Sequence, residues 1–140
     1  LRAYLLKGGF LWADDFWGSR AWEVFEEEMT KVFPPSEHKI VDLPMSHPVF
    51  RSQFEMKEVP QISAIGNWAR GVLSERFEDS AEVHVRAILD DHDRIMVLIT
   101  HNTDFGDSYE REGDNPEYFY QMSVPGYAFG INTLLYAFTH

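Results

Sequence analysis

The feature that most constrains the fold is a change of character within a single residue. Ile95–Thr100 (IMVLIT) is an almost unbroken apolar, β-branched run, the pattern of a strand buried on both faces. From His101 the chain turns polar. His101, Asp104, Asp107, Ser108, Glu110, Arg111, Glu112 and Asp114 follow, with Gly106 and Gly113 for tight turns. A buried strand that runs into a dense polar loop is how open α/β sheets present ligand sites. Just upstream, Val83, Val85 and Ala87 alternate with polar residues over Glu82–Leu89, and Asp90–Asp93 supplies a four-residue turn. That pattern predicts a β-hairpin feeding Ile95–Thr100.

The N-terminal half reads as an α/β unit. Leu1, Tyr4 and Leu5 fall at helical spacing, and Gly8-Gly9 stops that helix. Phe10–Ala13 is a short apolar strand and Asp14–Gly18 a loop. Ser19 is placed as N-cap of a helix over Arg20–Val32, with Trp22, Phe25, Met29 and Val32 as its inward stripe. Phe10–Ala13 and Ile95–Thr100 are both expected inside one sheet, with that helix packed on it, and the sheet is expected to be mainly parallel apart from the hairpin. Pro34-Pro35 ends the helix, Lys39–Leu43 reads as a second short strand, and two prolines restrain Pro44–Phe50. Gln61–Ser80 reads as a surface excursion with room for a short helix over Asn67–Arg76. Pro116–Met122 predicts a short helix. Pro125 opens another, with Ala128, Ile131, Leu135 and Phe138 on one face.

Residues 1–140 are long enough for one domain with a real core. With 23 acidic against 12 basic residues the net charge is −11, which argues against a nucleic-acid or anionic-membrane partner. No apolar stretch approaches the ~20 residues of a membrane span. There is no cysteine, so disulfides, thiolate metal sites and a cysteine nucleophile are absent from these residues. The chain begins at Leu1, without methionine and in what reads as mid-helix, so upstream sequence is expected. The compartment is left open.

Each polar candidate has two readings. Asp14 and Asp15 can bind a hard cation or act as acid and base. They can equally accept N–H groups at the start of the following helix. His47, between Ser46 and Pro48, is a ligand candidate or a hydrogen-bond partner that fixes its loop. His101, Asp104 and Asp107 have the donor types of an oxygen-and-imidazole metal site, and also those of Asp-rich side-chain-to-backbone turns. Asp14, His101 and Asp107 form the metal set, for Mg²⁺ or Ca²⁺, with no cofactor required. Ser108 shares the polar loop. Arg111 is expected as a fixed internal partner that compensates the carboxylates. Asn132 and Tyr136 lie four apart on the last helix, facing the cleft or the core. The loops Asp14–Gly18 and His101–Arg111 are expected to meet at the C-terminal edge of the sheet.

In order along the chain, GGFLWADDFWG, a helix, LPMSHPVF, HNTDFGDSYER and NTLLYAFTH resemble the bacterial family known as domain of unknown function 4159. That family is similar to ThuA-like domains and, more distantly, to class I glutamine amidotransferases. The resemblance implies a flavodoxin-like three-layer α/β fold of which this chain is the later part, with one or two strands upstream of Leu1. It implies no reaction. Amidotransferases place a cysteine on a strand-to-helix turn; the corresponding turn here, Asp14–Gly18, carries aspartates, so glutamine hydrolysis through a thiolate is not expected.

Two classes of function follow. One is a domain binding a small molecule or carbohydrate, or a metal-assisted hydrolase, with Asp14, Asp15, His47, His101, Asp104 and Asp107 lining a cleft. Its acidic loops suit a polyol or a cation better than a phosphate. The other is a non-catalytic protein-interaction domain using Trp12, Phe16, Trp17 and Tyr109. Should no strand lie beside one of the apolar strands, its exposed edge makes a homodimer the expectation.

Overall fold

A computed structural model describes all of residues 1–140. The elements are α1 (Arg2–Leu6), β1 (Leu11–Ala13), α2 (Gly18–Thr30), β2 (Ile40–Asp42), α3 (Ile65–Trp68), β3 (His84–Leu89), β4 (Ile95–His101), α4 (Phe105–Glu110), α5 (Pro116–Tyr118) and α6 (Val124–Thr139). Pro48–Phe50 and Phe77–Ser80 are 3-10 turns, and a π-helical stretch, Phe119–Ser123, joins α5 to α6.

The strands form one mixed sheet in the order β1-β4-β3-β2. β1 runs parallel to β4, with Trp12 opposite Leu98, while β3 pairs antiparallel with both β4 and β2. The β3–β4 hairpin expected from the sequence is present. Two of the three pairings are antiparallel, so the sheet is not mainly parallel. A second difference concerns β1, which lies at the edge rather than inside. A three-residue apolar strand reads alike whether one or both of its sides are paired, and its three residues are only half-buried.

β4 is buried along its whole length, as its composition requires. The two-residue period of the strands sorts side chains onto two faces. Leu98 and Ala87 join Phe105, Phe129, Tyr136, Ile62 and Phe50 under α4 and α6. Val97, Ile99 and Ile88 join Leu5, Met29 and Phe33 under α1 and α2. Helices therefore cover both faces. At the start of β4, the Arg94 guanidinium bonds Asp90 at 2.9 Å and the carbonyls of Leu5 and Gly9 at 3.0 Å, tying α1 and β1 to the hairpin turn.

Three helices depart from expectation. The short helix in the Gln61–Ser80 excursion is α3, Ile65–Trp68, and does not run on to Arg76. α2 begins at Gly18, and Ser19 does not cap it. Asn102 accepts the Gly18 N–H at 2.8 Å and Asp79 accepts the Ser19 N–H at 3.0 Å. In α6 the buried face is Gly126, Phe129, Asn132, Thr133 and Tyr136, whereas Ile131, Leu135 and Phe138 are exposed. A helix that is apolar all round gives periodicity nothing to discriminate. What lets α4 and α6 meet is Gly126, where an added Cβ would collide with the Ser108 side chain.

Candidate functional site

Both parallel strands end on an Asx residue in the left-handed region, Asp15 (φ 60°) just beyond β1 and Asn102 (φ 64°) just beyond β4. Asp and Asn tolerate that conformation better than other non-glycine residues. After β1 the chain crosses to α2 on one face, and after β4 it passes to α4 on the other. The chain thus diverges at the C-terminal ends of β1 and β4, the position where open α/β sheets hold ligands.

Asp14 joins the two loops at these strand ends. One carboxylate oxygen accepts from Thr100 Oγ1 at 2.5 Å; the other accepts the N–H groups of Phe105 at 2.7 Å and Gly106 at 3.2 Å. The carboxylate thus clasps the end of β1 to the first turn of α4. Burial pushes its pKa up to about 6 against the pull of these bonds. Asp104 is the N-cap of α4 and accepts the Asp107 N–H at 2.9 Å. Burial, then the charges of Asp15, Asp107 and Asp14, push Asp104 up to about 7. Burial also raises Asp107, with Arg111 working against it. Asp15 is exposed, and one of its oxygens accepts the Trp17 indole N–H at 3.1 Å.

The two loops named in the sequence are therefore neighbours, and four carboxyl groups sense one another there. The remaining candidates are occupied elsewhere. His101 follows Thr100 and so points to the opposite face of the sheet from Asp14. Its Nε2 lies 3.1 Å from the Gly18 carbonyl, and its ring stacks on Phe16 at 5.0 Å and on His84 at 5.7 Å. Burial holds His101 below the ordinary histidine range. No group of three or more His, Asp or Glu side chains converges on a point that a metal ion could occupy. Asp14, His101 and Asp107 do not come together, because alternation along β4 gives Thr100 to Asp14 and turns His101 to the other face of the sheet.

His47 caps the 3-10 turn, its Nδ1 accepting the Val49 N–H at 3.2 Å. Its ring lies 5.5 Å from Tyr136, whose hydroxyl serves Ile95 at the start of β4, the far end of the sheet. Asn132 is fully buried. It accepts the Gln53 and Phe54 N–H groups and donates to the Phe54 carbonyl, all at 2.7–2.8 Å. Ser108 donates to the Phe105 carbonyl at 2.6 Å and is also buried.

Arg111 lies at the rim, 3.8 Å from Asp107 and 3.7 Å from Asp114, with its side chain 48% exposed. Water screens such a pair, so Arg111→Ala is expected to cost about 1 kcal/mol or less. Urea unfolding of the variant measures this; a loss of several kcal/mol would require a buried pair that the geometry does not contain.

The sequence reading missed Thr100, Asn102 and Asp79. Thr100 had a signal, as a lone hydroxyl ending an apolar strand beside the polar loop. Asp79 had none, since its role depends on a contact 60 residues away.

An α/β domain with a mixed four-stranded sheet and a group of neighbouring carboxyl side chains where its two parallel strands end is the class that fold and site define. Within that class, the family described as domain of unknown function (DUF4159) matches residues 1–138, and the chain belongs to it. No curated protein matches the chain.

Proposed function

We propose that the domain binds a small hydroxyl-rich molecule, a sugar or polyol, between the ends of β1 and β4, through Asp15, Asp104 and Asp107. The observation that carries this reading is the gathering of partly buried carboxyl groups where the two parallel strands part company. Asp14 is saturated by its own clasp, so it shapes the site rather than contacting ligand. With a pKa near 7, Asp104 exists in both protonation states at neutral pH. It therefore both donates to and accepts from hydroxyl groups. Keeping such a carboxyl partly buried costs stability, which is the usual mark of a working site.

A groove lined by Ala13, Asp14, Phe16, Trp17, Arg20, Ala21 and Val24 opens beside these strand ends and offers an apolar wall for a sugar face. The flavodoxin-like frame and the kinship with ThuA-like and amidotransferase-like domains belong to the same reading. They are supported by helices on both faces and by the turn Asp14–Gly18 leading from β1 into α2.

The test is an NMR titration with glucose, xylitol and myo-inositol, following the backbone amides of Phe105, Gly106 and Asp107. Shifts confined to these amides with at least one of the three compounds, and weakened in Asp107→Ala, are expected. Mg²⁺ and Ca²⁺ at millimolar concentration are expected to leave the melting temperature unchanged, because a ligand raises it only by binding the folded state. No amide shift with any of the three compounds, or a clear rise in melting temperature with either cation, overturns the reading.

A further inference from the structure

We infer that the start of α2 carries a proton-operated latch: Arg86 of β3 clamps Trp22 to the sheet while His101 is neutral, and turns away when His101 takes up a proton. His101, the last residue of β4, is 4% exposed. Both of its ring nitrogens are engaged, by partners of opposite kind. Nε2 faces the Gly18 carbonyl at 3.1 Å, and Nδ1 faces Arg86 Nη1 at 3.4 Å. A carbonyl can only accept and a guanidinium can only donate. The proton of the neutral ring therefore sits on Nε2, and the Nδ1 lone pair receives Arg86. An imidazolium carries N–H on both nitrogens. Its Nδ1–H would meet a donor that is itself positively charged, so the observed arrangement holds only the neutral ring.

The same guanidinium joins β3 to α2. Arg86 Cζ lies 4.0 Å from the centre of the Trp22 ring, a cation–π contact, and Arg86 Nε donates to Asp42 on β2 at 2.9 Å. The Asp42 side chain is 76% exposed and that of Arg86 only 16%. Asp42 thus gives Arg86 a way out toward water without the loss of its counter-ion. The place it leaves is lined by aromatic rings, with Phe16 centred 5.0 Å from His101 and Trp22 at 5.4 Å. A protonated His101 supplies this cluster with a cation of its own, and its Nε2–H bond to Gly18 becomes charge-assisted. Gly18 therefore stays tied to β4 in both states. What changes is whether Arg86 or His101 carries the positive charge beside Trp22. The latch works on the face of the sheet opposite Asp14 and needs no ligand at the strand ends.

The groups around the ring set the direction of the switch. β3 faces it with Arg86 and with His84, stacked at 5.7 Å, while Asp42 and Glu82 act on His84 from further out. Asp79, on the 3-10 turn that meets α2, is the acid whose charge favours a proton on His101. α2 and the loop before it turn only a carbonyl and aromatic rings toward it. Burial first, and then Arg86 and His84, keep the ring from protonating in the ordinary histidine range, against the pull of Gly18 and Asp79. The latch therefore releases on the acid side of that range.

An NMR titration of the imidazole nitrogens, the Arg86 guanidinium and the Trp22 indole, from neutral pH downward, tests this. Arg86→Met and His101→Gln are titrated alongside, and circular dichroism follows the fold. At neutral pH the Nε2–H tautomer of His101 is expected. As the ring protonates, the Arg86 and Trp22 signals should move with the same midpoint, below the ordinary histidine value of about 6.5. Arg86→Met should raise the His101 midpoint, and His101→Gln should leave the Arg86 and Trp22 signals unmoved over that range. His84 is read separately in the same spectra, so its titration is not counted as that of His101. The parent titration decides alone should either variant fail to fold. The latch is overturned by an Nδ1–H tautomer at neutral pH, or by a ring that stays neutral until the fold is lost. Arg86 and Trp22 signals that ignore His101 or move without it, and an unchanged midpoint in Arg86→Met, overturn it as well.

Discussion

Asn132→Ala is expected to lower the unfolding free energy by about 3 kcal/mol, because a buried donor or acceptor left without its partner costs ~1–3 kcal/mol. The carboxamide is completely enclosed and serves three backbone groups of Gln53 and Phe54 at once. These residues follow the 3-10 turn whose Val49 and Phe50 belong to the core under α6. Alanine removes all three bonds and leaves a hole on the buried side of the helix. The segment beyond Phe50 is itself exposed and regains water, which sets the upper limit on the loss. Urea unfolding at fixed pH measures the effect as a shift in midpoint at constant slope. A loss below about 1 kcal/mol would mean that the segment holds its place without Asn132.

Asp104→Asn is expected to act in the opposite direction. A carboxyl whose pKa is raised by folding holds its proton more tightly in the native state. Its contribution is neutral below the unfolded value near 3.8, becomes unfavourable as pH rises, and reaches its full cost above about 7. Asp14 adds a similar penalty that is complete above about 6. The protein should therefore lose stability between pH 4 and pH 7 through these two groups. Asparagine keeps the cap, because its side-chain oxygen still accepts the Asp107 N–H, and it removes the partly buried charge. At pH 8 the variant should be more stable by on the order of 1–2 kcal/mol, because a pKa shift is worth 1.36 kcal/mol per unit and water reaching the half-buried carboxyl screens much of it. Its stability should also vary less with pH. Thermal unfolding from pH 4 to pH 8 reads both quantities. A variant with the parent's pH slope, or one that is less stable at pH 8, would show that Asp104 titrates normally.

The part of the fold that was legible from sequence rests on local pattern. β4 and the hairpin follow from an apolar run, an alternating run and a turn, all within about 20 residues. The meeting of the two polar loops follows from the same strand, since polarity begins where burial ends. What failed was whatever depends on partners far along the chain. β1 looks the same as an edge or an interior strand. His101 and Asp14 looked like companions because their loops are adjacent, but alternation along β4 hands Thr100 to Asp14 and sends His101 to the aromatic stack. That particular error was avoidable from the sequence, given a parallel β1–β4 pairing. The outward face of α6 was not, because a helix without charges has no polar side to mark.

The capping of α2 from outside the helix has a kinetic consequence. Gly18 and Ser19 find their acceptors on Asn102 and Asp79, which lie 84 and 60 residues further along the chain. As the ribosome delivers α2, neither acceptor has been made. The helix then carries bare N–H groups at its start and three consecutive glutamates in its middle, Glu26, Glu27 and Glu28. Short helices are marginal without tertiary support, and closing a long loop slows folding. The β3–β4 hairpin, by contrast, closes over only a few residues. It is expected to form before α2, which becomes persistently ordered only when the end of β4 arrives to receive it, although α2 is made first.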